Sequence, residues 1–123
     1  DFLLANLEGE FAGYLTICWT SDYSIFRIRK IPEIQDFNVL KKFQRMGIGS
    51  ALMDEAERRI KRLSEVAGIG VGLTRDYGAA QILYIRRGYI PDGNGIIMDG
   101  RSLNYRDEVM ISDDQVLYLM KTL

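Results

Sequence analysis

Seven consecutive residues, Gln44-Arg45-Met46-Gly47-Ile48-Gly49-Ser50, stand between an apolar strand-like run and an amphipathic helical one. Two glycines two positions apart let a backbone turn tightly and approach a ligand with no Cβ in the way. A helix starting there presents unpaired N–H groups and the positive end of its dipole, and both attract anions. Lys41, Lys42 and Arg45 add cationic side chains around that start. The chemistry expected is capture of a phosphate-bearing ligand. The other reading is a strand-to-helix turn that binds nothing, and glycine spacing alone does not separate the two.

There is no histidine among the 123 residues, which removes Ser-His and Cys-His catalytic pairs and most zinc sites. No metal is expected. The single cysteine, Cys18, excludes an intramolecular disulfide and suits a reducing compartment. Lying in the apolar run Tyr14–Trp19, it reads as a buried structural thiol rather than a nucleophile. A formal net charge of −1 gives no reason to expect nucleic acid or an anionic membrane as partner. No apolar stretch approaches the roughly 20 residues of a membrane span and no signal-peptide pattern is visible, so the expected location is the cytoplasm. The length suits one domain with a genuine core, and no repeat or low-complexity tract divides it.

The elements that must position the glycine turn follow from periodicity. Phe2–Asn6 and Phe11–Trp19 are apolar runs around Leu7-Glu8-Gly9-Glu10 and predict a β-hairpin. Ser21–Ile31 alternates in part and predicts a strand or ribbon. Ile34–Leu40 predicts the next strand, with Phe37 and Val39 on one face and Asp36 and Asn38 on the other. A helix is expected from Gly47 to Leu63 on the stripe Ile48, Leu52, Ala56, Ile60 and Leu63, with acids early and bases late. Val66–Leu73 reads as a strand buried on both faces. A second helix is expected over Tyr77–Arg87, stopping at Gly88. A polar, glycine-rich loop through Asn104 should follow Pro91, and strands at Glu108–Ile111 and Val116–Leu123 should close the chain. The fold class is α/β (α+β): a mixed, partly parallel central sheet flanked by helices.

Three stretches together resemble the GNAT superfamily of N-acetyltransferases. Gln44-Arg45-Met46-Gly47-Ile48-Gly49-Ser50 is similar to its Gln/Arg-x-x-Gly-x-Gly/Ala signature. Ala80-x-x-x-Tyr84-x-x-x-Gly88-Tyr89-x-Pro91 is similar to its second helix and following strand, and Val116–Lys121 to its last strand. The resemblance covers essentially the whole chain.

That resemblance implies acetyl-CoA as cosubstrate, held in a V between two parallel strands, and transfer of its acetyl group to a primary amine in a ternary complex. Main-chain groups of Gln44, Arg45, Met46, Gly47, Ile48 and Gly49, with Ser50, would hold the pyrophosphate. The strand Phe37, Asn38, Val39 would offer main-chain groups to the pantetheine arm, like a strand added at a sheet edge. Catalysis would then be chiefly the holding of a neutral amine against the thioester carbonyl, with a main-chain N–H near Asn38 or Val39 facing the developing oxyanion. Tyr84 matches the family's tyrosine placed to protonate the departing thiolate, and a tyrosine with a pKa near ~10 carries its proton at neutral pH. Glu33 stands near the glutamate that histone-acetylating members carry and would take the proton of the substrate ammonium, directly or through water; Asp36 is the other carboxylate nearby.

Two departures stand out. Where the family often has asparagine, three positions before Ala80, this chain has Tyr77. The family also places a strand and two helices ahead of the hairpin that opens this chain, so the chain is expected to be an N-terminally incomplete domain. A non-catalytic CoA-binding or regulatory domain of the same fold is the alternative reading. A Rossmann fingerprint lacks its third glycine, with Leu52 in that place, and no Gly-Lys-Ser/Thr follows the turn to make a P-loop. Between Asp92 and Asp114 six acids are counted against two arginines, which reads either as an acidic wall drawing a small cationic amine as acceptor or as a solvated hairpin. Exposed strand edges at both ends make a homodimer an expectation as well.

Overall fold

Glu8 and Gly9 both take left-handed φ, 53° and 83°, so the first turn has the twist that two antiparallel strands need. It joins β1 (Phe2–Leu7) to β2 (Glu10–Cys18), the predicted hairpin. The structure, a computed structural model, describes residues 1–123, and the chain divides into two compact units, Asp1–Ala67 with Thr122–Leu123 and Gly68–Lys121.

In the first unit β2 pairs antiparallel with β3 (Glu33–Val39), giving the order β1-β2-β3. The register slips between Tyr14 and Thr16: Tyr14 faces Asn38 while Thr16 faces Gln35, so two residues of β3 oppose Leu15 alone. This is a β-bulge, and Asp36 within it has φ 52°. Helix α2 (Ile48–Lys61) packs on all three strands. Its stripe Ile48, Leu52, Ala56 and Ile60 is buried as expected, with Met53 added. Leu63, read as the end of that stripe, is 77% exposed in the turn that follows the helix.

Ser21–Ile31, read as a strand or ribbon, contains a short helix instead, α1 (Ser24–Arg29). A strand would have buried Phe26 and Ile28 together. Phe26 is fully buried while Ile28 is 77% exposed, and the buried pair is Tyr23 and Phe26, three apart and edge-to-face at 4.9 Å. Lys30 ends the helix at φ 57°, where its N–H donates to the Arg27 carbonyl and the Ile31 N–H to that of Phe26. Cys18 is half-buried, not buried, and its thiol donates to the Thr20 carbonyl at 3.1 Å.

β4 (Val66–Gly72) leads into the second unit, where the strand order is β4-β7-β5-β6. Helix α3 (Gly78–Arg86) lies within the predicted span Tyr77–Arg87 and follows a single 3-10 turn, Arg75–Tyr77, with Gly88 after it at φ 97°. The glycine-rich stretch read as a loop is a hairpin, β5 (Ile90–Met98) with β6 (Arg101–Ser102). Its turn is Asp99-Gly100, both at left-handed φ, and a register shift between Pro91 and Ile96 takes up Gly93 and Gly95, also left-handed. Glu108–Ile111, predicted as a strand, pairs with nothing. Residues 103–115 run as an irregular segment, with Met110 87% exposed, and the chain closes with β7 (Val116–Thr122) against β5.

Candidate functional site

After β3 the chain makes a 3-10 turn, Lys41–Phe43, and Gln44 continues extended. Arg45 then takes φ 65° and Gly47 φ 80°, after which α2 begins. No side chain caps that helix start, no acid lies in its first turn, and Lys41, Gln44, Arg45, Met46, Gly47 and Ser50 are all exposed around it. The positive dipole end of α2 is therefore set among exposed cationic residues, as an anion cradle requires. Lys42 is already paired with Glu10 at 2.9 Å, a surface pair of small energy that a phosphate could outbid.

Gly49 brings the cradle onto the strand. A Cβ there would meet the Phe37 ring at 3.0 Å and Val39 at 3.6 Å, so glycine lets the first turn of α2 lie this close to β3 without displacing the Phe37 ring. Ile48 is buried against the same core. The Gln44 side-chain amide donates to the Val39 carbonyl at 3.3 Å, a second tie between turn and strand. The two predicted cofactor-binding sets, Phe37–Val39 and Gln44–Ser50, are thus brought together within the first unit, and the bulge at Asp36 adjoins them.

Glu33 opens the same strand, 7% exposed. Burial pushes its carboxyl above the ordinary range, and the charges of Asp22 and Asp36 add to this. Hydrogen bonds from Ser21 and Gln35 oppose it by favouring the ionised form. The Ser21 hydroxyl donates to Glu33 Oε1 at 2.5 Å and accepts the Tyr23 N–H at 3.0 Å. Sequence reasoning missed Ser21. Its only signal is the hairpin order that sets Cys18 opposite Glu33 and so returns the next few residues over that carboxylate.

In the second unit Tyr84 lies on α3, 5% exposed, with its ring 6.2 Å from that of Tyr89. Burial alone pushes its phenol up to about 12, so it holds its proton more firmly than a free tyrosine. Tyr77 has a role of its own: its ring covers Gly72, where a Cβ would sit 2.4 Å from ring carbons, and its hydroxyl donates to Asp113 at 3.0 Å. Of the six acids between Asp92 and Asp114, three accept local bonds: Asp92 from the Asn94 N–H, Asp107 from the Asn104 N–H, and Asp113 from Tyr77. No three His, Cys, Asp or Glu side chains group as metal ligands, and no helix is long and apolar enough to cross a membrane.

A family model described as an acetyltransferase (GNAT) domain matches residues 1–91. The chain belongs to the GNAT acetyltransferase family. A relative described as an uncharacterized N-acetyltransferase of Archaeoglobus fulgidus is 38% identical over 73 residues, 58% of this chain and 49% of its own length. The chain thus spans about half the length of the curated relative it matches. Among solved structures, Ard1 from Thermoplasma volcanium superposes with a TM-score of 0.71 at 20% identity, over 99% of this chain and 70% of that one. An acetyltransferase from Bacillus anthracis assigned to streptothricin and crystallised with acetyl coenzyme A gives 0.71 at 20% identity, over 99% and 61%. The ribosomal-protein-alanine N-acetyltransferase of Brucella melitensis gives 0.69 at 21%, over 99% and 68%. The GNAT fold is therefore shared, and it is the class expected from the sequence: α/β, with a mixed sheet flanked by helices.

Proposed function

We propose that this GNAT chain is an acetyl-CoA-dependent N-acetyltransferase whose acceptor is a primary amine, most simply that of a small molecule. The observation that carries the reading is the uncapped start of α2, seated on Phe37 and Val39 through Gly49. A phosphate-bearing nucleotide fits that cradle, and an extended arm running from it would lie along β3. The GNAT structure crystallised with acetyl coenzyme A supports the choice of ligand. The main chain of Gln44–Gly49, with Ser50, would hold the pyrophosphate, and Phe37, Asn38 and Val39 the arm.

Bound there, acetyl-CoA supplies an activated thioester, so the chain's residues need only manage protons and charge. Glu33 takes one proton from the acceptor's ammonium, leaving a neutral amine as nucleophile. A main-chain N–H near Asn38 or Val39, beside the bulge, faces the negative charge that develops on the carbonyl oxygen. Tyr84 is assigned the acid that protonates the departing thiolate, on its match to the family's tyrosine and its retained proton, and the second proton that the nitrogen sheds on becoming an amide restores the phenol through solvent. The exposed carboxylates of Glu108 and Asp114 support a cationic acceptor.

Calorimetric titration with acetyl-CoA tests the reading. Gly47→Val should weaken binding at least about tenfold, equivalent to ~1.4 kcal/mol, because the turn needs φ 80° there while nothing stands within 4 Å of the added Cβ. No acetyl-CoA binding by the native chain would sink the proposal. Binding without transfer to spermidine or to an alanine-terminated peptide would support the non-catalytic alternative.

A further inference from the structure

The segment between β2 and α1 is tied down more thoroughly than a connection of five residues needs. Ser21 is 1% exposed, and its hydroxyl both donates to Glu33 Oε1 at 2.5 Å and accepts the Tyr23 N–H at 3.0 Å. The guanidinium of Arg27, one turn into α1, donates to the carbonyls of Ser21 at 3.4 Å and Asp22 at 3.0 Å. Beneath it Tyr23 and Phe26 pack edge-to-face in the core. The hydroxyl therefore cannot rotate away without giving up the Tyr23 N–H, and the lone pair it uses for that bond leaves its proton aimed at the carboxylate.

We infer that Ser21 is a positioning residue for Glu33: its hydroxyl, locked by the Tyr23 N–H, holds the carboxylate in one orientation and in its proton-accepting form. This rests on Glu33 being the base proposed above. In each turnover the acceptor's ammonium would lose one proton to Glu33, which becomes a neutral acid and returns the proton to solvent. Ser21 donates a hydrogen bond throughout and transfers nothing. The charged and titratable groups around the carboxylate are Cys18 across the ladder, Asp22 on the same segment, Arg27 on α1 and Asp36 along β3, with Gln35 as a neutral donor. Burial, Asp22 and Asp36 favour the protonated acid, so removing a hydroxyl that favours the carboxylate moves its titration upward.

Two measurements on Ser21→Ala and Ser21→Thr decide the matter. In protein carrying 13C-carboxyl glutamate, the Glu33 resonance, identified by its loss in Glu33→Gln, should titrate about one pH unit higher in Ser21→Ala and near the native value in Ser21→Thr. The acid limb of kcat/KM for acetylation of spermidine or an alanine-terminated peptide should move by the same amount, leaving the rate about tenfold lower well below the limb. Acetyl-CoA affinity should not change. An unmoved titration overturns the inference. So does a moved titration with an unmoved acid limb, provided Glu33→Gln abolishes that limb. A Glu33→Gln variant with native rate and profile overturns instead the base reading on which the inference rests. Thermal unfolding of each variant separates these outcomes from loss of fold.

Discussion

Tyr84 retains its phenolic proton because almost all of its ring is out of water, and that burial makes an alkaline prediction. A group whose native pKa lies above its ordinary value of about 10 adds stability that is complete below pH 10 and disappears as pH climbs toward 12. Tyr84→Phe should therefore flatten the fall of unfolding free energy between those values, by about 2–3 kcal/mol, in urea titrations across that range. If Tyr84 is the acid proposed above, the same variant should at neutral pH slow transfer about 10²-fold or more while leaving acetyl-CoA affinity intact. Residues of this kind were recognisable as candidates because their types and spacings match a known family. Ser21 and Tyr77 were not: a serine in a turn has no pattern of its own, and nothing in the chain before folding pairs position 21 with 33 or 77 with 113.

Among the elements, α2 was the most legible and for a simple reason. Its apolar positions recur every three or four residues and its charges run from acid to base, so local sequence and tertiary packing agree. Met53, absent from the expected stripe, is fully buried beside Leu52, Ala56 and Ile60. Met53→Ala should cost about 2–5 kcal/mol and lower Tm by several degrees in calorimetric scans, without a change in acetyl-CoA affinity per folded molecule. The misread elements share a different cause. In α1 a partial alternation concealed a three-residue spacing, because Ile28 is apolar and yet exposed. In β5 and β6 the glycines that suggested a loop are those that let a strand bulge and turn, and Asp99-Gly100 was the available sign of a hairpin. Val109, Met110 and Ile111 are apolar residues left at the surface, which no periodicity argument would place there.

At the scale of the molecule, the fold class was readable from the alternation of strands and helices, and the comparisons agree with it. What strand patterning could not supply was sidedness, and that comes from one residue. Across the ladder Ile34 faces Ile17 and Val39 faces Gly13, on the side where α2 packs, while Glu33 faces Cys18 and Asn38 faces Tyr14 on the other. Positions 33 and 39 are six apart, and in an unbroken strand an even interval means a shared side. The extra residue at Asp36 changes even to odd. It sends the glutamate to one surface of the sheet and Phe37 and Val39, which meet Gly49, to the other, so the proposed proton acceptor and the proposed phosphate cradle need not compete for the same space. Deleting Asp36 would restore regular counting, turning Glu33 under the helix and Ile34 to the side where Ser21 now meets the glutamate, or else sliding the strand to undo it. Expected are acetyl-CoA binding close to native if the cradle half keeps its register, complete loss of the acid limb in kcat/KM, and a lowered Tm. A variant that keeps that limb would show that the sheet's two surfaces are not divided in this way.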